Sequence, residues 1–443
     1  MPFVSDPNSI DRVCVIGAGP SGLAACKALH EAHIPFDCFE ANRSVGGIWD
    51  IEGSGSGGYR SLHTNTSKAK MAFSDFPFVE DSPPFLRHSE LLDYFNAYVD
   101  HFGFRKEIQL DCRVRRARPT EENTWRLDLE DGSTREYRAC IVATGQYGTR
   151  RWPNPPPPGR FAGSQIHAAD YLDPDTPIDC RGKRVVVVGL GSSAAEIATE
   201  LAGGEEGPTL ASHVALSARS GRYILPKLFH GEPLDANAPH PSDRLPTLLE
   251  WLPETLRIAL MRAVMKRSLG KVEQEVGHPS DWRLPDPTFG PWAERPTLSE
   301  GFIPALEAGR IEPRPGIAGF DESTIKFTDG SETDADILIW ATGYEPGFPF
   351  LDDGILGCPA DELALYRRIA HPSRPNLFFI GFTRVICSLW PVSEQQAKWL
   401  VRVLKGTIEL PNQAGLARHT VQVSQTLPVF CNSYVLKLRR DGG

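Results

Sequence analysis

Residues 12–32 read RVCVIGAGPSGLAACKALHEA. Val13 to Ile16 form a short apolar run, the mark of a strand buried on both faces of a parallel sheet. Gly17, Gly19 and Gly22 follow in G-x-G-x-x-G order, and Leu23 to Ala32 reads as a helix. A second strand, Phe36 to Phe39, ends in Glu40, 23 residues after Gly17. That spacing has a chemical reason. The first glycine permits a tight turn, the second lets the backbone approach a pyrophosphate, and the third lets helix and strand pack closely. The phosphates then sit on the helix N-terminus, where free N–H groups and the dipole favour an anion. Glu40 is placed to accept hydrogen bonds from ribose hydroxyls. Strand, glycines, helix and acid in register predict a dinucleotide-binding unit.

The same form recurs at 184–204, RVVVVGLGSSAAEIATELAGG, with Gly189 and Gly191, and Ala194 in place of the third glycine. Its second strand, His213 to Ser217, ends differently. SARSGR replaces the acid, with Arg219 and Arg222. A carboxylate there would repel a 2′-phosphate, whereas arginine binds one bidentately. The first unit therefore suits FAD and the second NADPH.

Each unit closes alike. DGSTREYRACIVATG (131–145) and DGSETDADILIWATG (329–343) are both a turn, an apolar strand and Ala-Thr-Gly. The repeat is of whole dinucleotide-binding domains, far longer than a solenoid period. In each, the glycine after the strand allows close backbone approach to a nucleotide. The tail from Glu345 starts no third unit, and we expect it to return and complete the first. The predicted fold is α/β with two Rossmann-like domains: an FAD domain over 1–175 and 344–443, and an inserted NADPH domain over 176–343. Linkers are expected at the glycine-rich 52–59 and at RRWPNPPPPGR, 150–160, the domain crossing. The stretch 226–300 fits the repeat least and reads as a helical insertion. Its segment 245–271 is apolar with Arg257, Arg262, Lys266 and Arg267. It reads as a helix packed on its own domain or a partner subunit, or as a basic amphipathic helix on a membrane surface.

The 443 residues are too many for one ordinary core. A formal charge of −9 argues against a nucleic-acid partner. Nine cysteines, none in C-x-x-C spacing, argue against a zinc site or a redox dithiol and read as reduced thiols of a cytoplasmic protein. No apolar window of 18 residues suggests a membrane span. A homodimer is compatible with all of this. No metal is expected.

Between the units lies FAGSQIHAADY, 161–171, with a histidine six residues after one aromatic and four before another. Phe161, Gly163, His167 and Tyr171 fill F-x-G-x-x-x-H-x-x-x-(Y/F/W). With two dinucleotide domains around it, the chain resembles the flavin-containing monooxygenases, class B flavoprotein monooxygenases. Further matching stretches are FEANRSVGGIW (39–49), SLHTNTSKAKMAFSDFPF (61–78), FLRHSELLDYF (85–95), GLGSSAAEIA (189–198), WATGYEPGFPFL (340–351) and LYRRIAHPSRPNLFFIGF (365–382). The resemblance places the fingerprint in the connection between the two domains. It implies that His167 positions them rather than transferring a proton. Tyr171 resembles the nitrogen- and sulfur-oxygenating branch, since Baeyer–Villiger relatives usually carry Trp there.

Carried over by position, the FAD contacts implied are Gly17, Ala18, Gly19, Pro20, Ser21, Gly22, Glu40, Gly47, Ile48, Trp49, Thr64, Asn65 and Thr66, with Ala143, Thr144 and Gly145. Those of NADPH are Gly189, Gly191, Ser192, Ser193, Ala194, Ala195, Glu196, Ser217, Arg219 and Arg222, with Ala341, Thr342 and Gly343. Asn65 is the catalytic candidate, an amide the resemblance places near flavin C4a and the nicotinamide. The implied cycle passes a hydride from NADPH to FAD, adds O2 at C4a, and gives the distal oxygen of the hydroperoxyflavin to a soft nitrogen or sulfur of a small molecule. A Baeyer–Villiger enzyme acting on ketones, and an NADPH-dependent flavin or quinone reductase, are the alternatives. Substrate identity and oligomeric state are not readable from the chain.

Overall fold

A computed structural model describes residues 11–53, 55, 57–204, 207–241, 243, 249, 251–290, 293–422 and 430–441. The glycine spacing translates directly into a strand–turn–helix–strand start: β1 (Val13–Ile16), α1 (Pro20–Glu31) and β2 (Phe36–Phe39). The helix begins three residues before Leu23, because proline at N1 costs no hydrogen bond there. Next come α2 (His88–Phe102), β3 (Ile108–Gln109), β4 (Val114–Pro119), β5 (Trp125–Leu129), β6 (Thr134–Tyr137) and β7 (Ala139–Val142). The chain then crosses through β8 (Thr149–Arg150) to β9 (Ser164–His167).

The second half repeats the plan. It contains β10 (Arg184–Val188), α3 (Ser192–Leu201), β11 (His213–Ser217), the 23-residue α4 (Glu254–Val276) and β12 (Glu312–Arg314). After these come β13 (Ile317–Asp321), β14 (Thr324–Phe327), β15 (Glu332–Asp334), β16 (Ile337–Trp340) and the return strand β17 (Tyr344–Glu345). The tail supplies β18 (Ala364–Tyr366), β19 (Ala370–His371), β20 (Arg374–Phe379), α5 (Leu389–Leu404), β21 (Thr420–Gln422) and α6 (Cys431–Arg440).

Two sheets result. The eight-stranded one runs β21-β18-β19-β20-β7-β1-β2-β3, so the tail strands join the N-terminal unit. The five-stranded one runs β12-β11-β10-β16-β9 and is parallel throughout. Each unit also carries a three-stranded antiparallel meander, β4-β5-β6 and β13-β14-β15, just before its closing strand. The two turns DGST and DGSE each lie between the last two strands of a meander.

Every residue of β1, β7 and β16 is buried, which is why these strands read as unbroken apolar runs. On α1, Leu23, Cys26 and Leu29 are fully covered against the first sheet and α5. Burying one such leucine contributes about 1.5–3 kcal/mol.

Three features depart from the sequence reading. Strand β9 pairs with β16 in the second sheet, Trp340 opposite His167. Residues 164–167 therefore belong to that sheet, although they fall within the 1–175 span expected for the first unit. Cys387 and Cys431 form a disulfide, so the thiols are not all reduced. No local spacing signals it, because α5 and α6 bring together cysteines 44 residues apart. In the insertion, Leu256, Leu260 and Val264 lie exposed on α4, while Arg257 is buried against Ser433 of the tail. The part of the expected helical stretch at 244–248 and 250 lies outside the described residues. Among the described residues no helix is long and apolar enough to cross a membrane.

Candidate active site

The first glycine loop is fixed by backbone crowding. Gly17 has φ 102°, and a Cβ there would stand 2.8 Å from the Ala143 carbonyl at the end of β7. A Cβ on Gly22 would stand 1.9 Å from the Gly17 carbonyl. Gly19 is different: the nearest atom to its Cβ would be Gly47 Cα at 3.5 Å, and no side chain caps the helix it starts. The turn carrying Gly47, Ile48 and Trp49 is held against this loop by Gly46 N donating to the Ala18 carbonyl at 3.0 Å. An open amide edge thus lies over a helix N-terminus, the arrangement a pyrophosphate needs. Pro20 and Ser21 open α1, and Ser21 Oγ is 2.9 Å from Ser393 Oγ on α5.

Glu40 stands at the tip of β2, buried, where it accepts from Ala18 N at 2.7 Å and Asn42 N at 3.0 Å. Burial pushes its carboxyl up, and these amides oppose the shift. Here the acid braces the glycine loop from the strand tip.

Thr64 and Leu86 exchange two hydrogen bonds, Thr64 N to the Leu86 carbonyl at 2.9 Å and Leu86 N to Thr64 Oγ1 at 3.0 Å. That clamp presents Asn65, whose Oδ1 is buried with no hydrogen-bond partner. Thr66 follows, half-buried, and Ser67 N donates to Asp235 Oδ2 at 2.9 Å. Ser67 Oγ and Asp235 Oδ1 are also buried without partners. Buried polar atoms are rarely left so, and such a group takes either ordered water or a polar ligand. Trp49, on the turn against the first glycine loop, packs edge to face with Trp390 of α5, 6.1 Å apart.

The second loop repeats the first with one change. Gly189 has φ 133°, and its Cβ would stand 2.4 Å from the Ala341 carbonyl. Ala194 occupies the third position and is fully buried with Ala195. Around Gly191 nothing lies within 4 Å of an added Cβ, and α3 starts at Ser192 and Ser193 with no side-chain cap. Arg219 is exposed, its chain against Gly316, and among the described residues it makes no hydrogen bond or ion pair. That leaves its guanidinium free for a phosphate.

Other residues expected at the nucleotide have structural partners. Arg222 lies 3.9 Å from Glu294 and donates to the Arg295 carbonyl at 3.4 Å. Ser217 Oγ donates to the Pro315 carbonyl at 2.7 Å. Glu196 accepts from the Tyr59 hydroxyl and, at 3.3 Å, from the buried Lys227. It lies one turn along α3 from the open amides and meets Tyr59 of the first unit and Lys227 of its own. Thr342 Oγ1 donates to the Arg151 carbonyl.

Behind Ala143-Thr144-Gly145 and Ala341-Thr342-Gly343, with Gly145 at φ 83° and Gly343 at φ 89°, the chain crosses between units twice. The two crossings pair as an antiparallel ribbon, β8 with β17, Tyr344 opposite Arg150. Arg150 pairs with Asp170 and Arg151 with Glu345. His167 lies fully buried under this ribbon, its ring 5.4 Å from Trp152 and 5.4 Å from Tyr344. Nδ1 accepts from Ala169 N at 3.1 Å, while Nε2 makes no well-formed hydrogen bond. Burial, and then Arg150, push its pKa down. Phe161 packs 5.6 Å from Phe320. Gly163 has no room for a side chain, since its Cβ would stand 2.5 Å from the Asp336 carbonyl. Tyr171, 1% exposed, donates to Glu200 Oε2 at 2.8 Å. Burial raises the pKa of both.

Sequence reasoning missed Tyr59, Lys227, Glu200 and Asp235. Tyr59, Lys227 and Asp235 sit in no local motif, and Glu200 lies on the motif helix at a position the motif does not specify. Their partners are 29 to 168 residues away, so only the folded chain shows them.

Two glycine loops with open helix N-termini, one backed by a buried acid and one by an exposed arginine, define a two-nucleotide flavoprotein oxidoreductase. The flavin-binding monooxygenase-like family model matches residues 10–441, and the chain belongs to this family. It is an NADPH-dependent flavoprotein monooxygenase with FAD and NADPH as cofactors. It is 32% identical over 435 residues to flavin-containing monooxygenase 5 of Oryctolagus cuniculus, covering 94% of this chain and 77% of that one. To dimethylaniline monooxygenase (N-oxide-forming) 2 of Rattus norvegicus it is 31% identical, over 91% of this chain and 75% of that one. The fold is similar to that of S-allyl-L-cysteine S-oxygenase from Allium sativum, with TM-score 0.63, 23% identity, and 92% and 80% of the two chains covered. It is also similar to the OTEMO complex with FAD and NADP, with TM-score 0.70, 20% identity, and 93% and 88% covered.

Proposed function

We propose that this monooxygenase oxygenates a soft nitrogen or sulfur atom of a small molecule, with FAD on the unit of residues 1–175 and 344–443 and NADPH on the unit of 176–343. The observation that carries the nitrogen reading is the 31% identity to an N-oxide-forming relative over 91% of the chain. Tyr171 at the end of the fingerprint and the name of the Allium sativum S-oxygenase agree with the nitrogen and sulfur branch.

The residues fit the two cofactors. The amides over α1 and α3 receive the pyrophosphates, Glu40 stands where the first ribose would lie, and Arg219 takes the 2′-phosphate. Bound flavin, reduced by NADPH, supplies the activation of O2 and the transfer of one oxygen atom. The protein's part is placement. Asn65, held by the Thr64–Leu86 clamp, offers an amide that can donate or accept and cannot ionise. The ribbon over His167 sets the distance between the nucleotides, on which hydride transfer depends.

A panel of amines, thioethers and ketones, scored by product mass with NADPH and O2, tests this reading. N-oxides or sulfoxides as main products support it. Esters or lactones from the ketones, with amines and thioethers untouched, would replace it with Baeyer–Villiger chemistry. NADPH oxidation that continues without O2 would point to a reductase.

A further inference from the structure

Both oxygens of the Glu196 carboxylate are engaged in a nearly buried place. Oε2 accepts from the Tyr59 hydroxyl, and Oε1 accepts from Lys227 Nζ at 3.3 Å. Tyr59 is 2% exposed, and the side chains of Lys227 and Glu196 are 8% and 13% exposed, so the group sits largely away from water. Burial first, and then Glu196, push the Tyr59 hydroxyl up, so it keeps its proton and donates. Replacing a buried ion pair by apolar side chains of similar size often costs no stability. Packing alone therefore does not account for this group, and what sets it apart is where its partners lead.

Both lead to the clamp that presents Asn65. Tyr59 opens the segment 59–65. Its carbonyl accepts from Leu62 N at 2.9 Å, and the Leu62 carbonyl accepts from His88 N at 3.2 Å. Thr64 then exchanges its two hydrogen bonds with Leu86. From the other side, Lys227 Nζ lies 5.9 Å from the centre of the Phe85 ring, on the residue before Leu86.

Glu196 itself stands one turn along α3 from Ser192 and Ser193, where the helix opens with no side-chain cap. One turn further, Glu200 accepts from Tyr171, whose ring meets that of Tyr59 edge to face at 6.4 Å. The helix that starts at the second glycine loop thus holds the segment leading to Asn65 across the boundary between the units.

We propose that Glu196 is a positioning residue which, through Tyr59 and Lys227, keeps the Asn65 clamp in register with the nucleotide bound at the start of α3. Nucleotide binding at α3 then steadies the segment that carries Asn65. This rests on the reading above for NADPH at α3 and for Asn65, and it is independent of which atom is oxygenated.

Hydrogen–deuterium exchange on the FAD-loaded protein, with and without NADP+, tests it. In wild type, NADP+ should slow exchange about threefold or more both at 189–196 and at 59–66. Tyr59→Phe removes one hydroxyl and keeps the ring. It should retain the protection at 189–196, with the Kd of NADP+ moving less than about threefold, and lose most of the protection at 59–66. With a substrate that the protein turns over, its hydrogen peroxide per NADPH should rise several-fold. Asn65→Asp added to the same chain should then raise it little further, because both changes reach one group. Glu196→Gln keeps the size of the side chain, should behave likewise, and serves if Tyr59→Phe folds poorly. Equal protection of 59–66 in wild type and Tyr59→Phe overturns the proposal. So does a peroxide release that simply adds to that of Asn65→Asp, which would make the loss at Tyr59 a separate structural fault. Absence of protection at 189–196 in wild type would take the nucleotide from α3, and the proposal with it. The expected exchange pattern with Tyr59→Phe and Asn65→Asp both fully coupled supports the tie and counts against the role of Asn65 instead.

Discussion

The ring of His167 is held between Trp152 and Tyr344, 5.4 Å from each, and these two aromatics belong to the two separate crossings between the units. The fingerprint histidine thus packs against both crossings at once. A buried histidine with a lowered pKa stays neutral in the folded chain, while the unfolded chain takes up a proton below about pH 6.5. The unfolded state then binds more protons, so stability falls as the pH drops through that value. His167→Asn should lose less melting temperature between pH 7.5 and 5.5 than wild type. The residual loss has other sources, among them His371, also lowered by burial. An identical acid loss in both proteins would mean that His167 is not the group.

Arg219 is the candidate for selecting NADPH. Arg219→Ala should raise the KM for NADPH by roughly ten- to a hundredfold, as expected for losing a charge-assisted pair of about 1.5–3 kcal/mol. The KM for NADH should barely change. Equal weakening of both would make Arg219 structural.

The two kinds of glycine predict opposite phenotypes. Gly22→Ala drives a methyl to 1.9 Å from the Gly17 carbonyl, so the loop must break and FAD content and stability should fall together. Gly191→Ala meets no atom within 4 Å. Its melting temperature should stay within about 1 °C of wild type, in keeping with a change of a few tenths of a kcal/mol. Its KM for NADPH should still rise, because the methyl stands where the nucleotide backbone approaches. A stable Gly22→Ala that keeps its flavin would contradict the steric account.

Which parts were legible follows from range. The strands Val13–Ile16, Phe36–Phe39 and His213–Ser217 appear in the structure at the bounds read from the sequence, because strands buried over most of their length in a parallel sheet are mostly apolar. The glycine spacings were equally plain, since backbone approach has no substitute chemistry. Arg219 and Arg222 look equivalent in SARSGR, and only Glu294, 72 residues on, separates them. Likewise Glu196 sits in a motif that reads as nucleotide-binding, yet Tyr59, 137 residues earlier, claims it. The pairing of β9 with β16 and the Cys387–Cys431 link are contacts of the same long-range kind.

Asn65 carries a buried Oδ1 with no protein partner. Asn65→Asp keeps the shape but adds a charge and removes the donor. FAD content and the rate of flavin reduction by NADPH should stay near wild type. Hydrogen peroxide released per NADPH should rise several-fold at the expense of product. A variant as well coupled as wild type would remove Asn65 from the chemistry.

The most direct measurement follows the oxygen itself. Wild-type protein, NADPH and a thioether or tertiary amine that it turns over are incubated under 18O2, and product mass is counted against NADPH oxidised. One labelled oxygen atom per product, with product and NADPH consumption close to one to one, is the outcome expected. NADPH oxidation that proceeds without O2, or product carrying no label, would contradict the monooxygenase account.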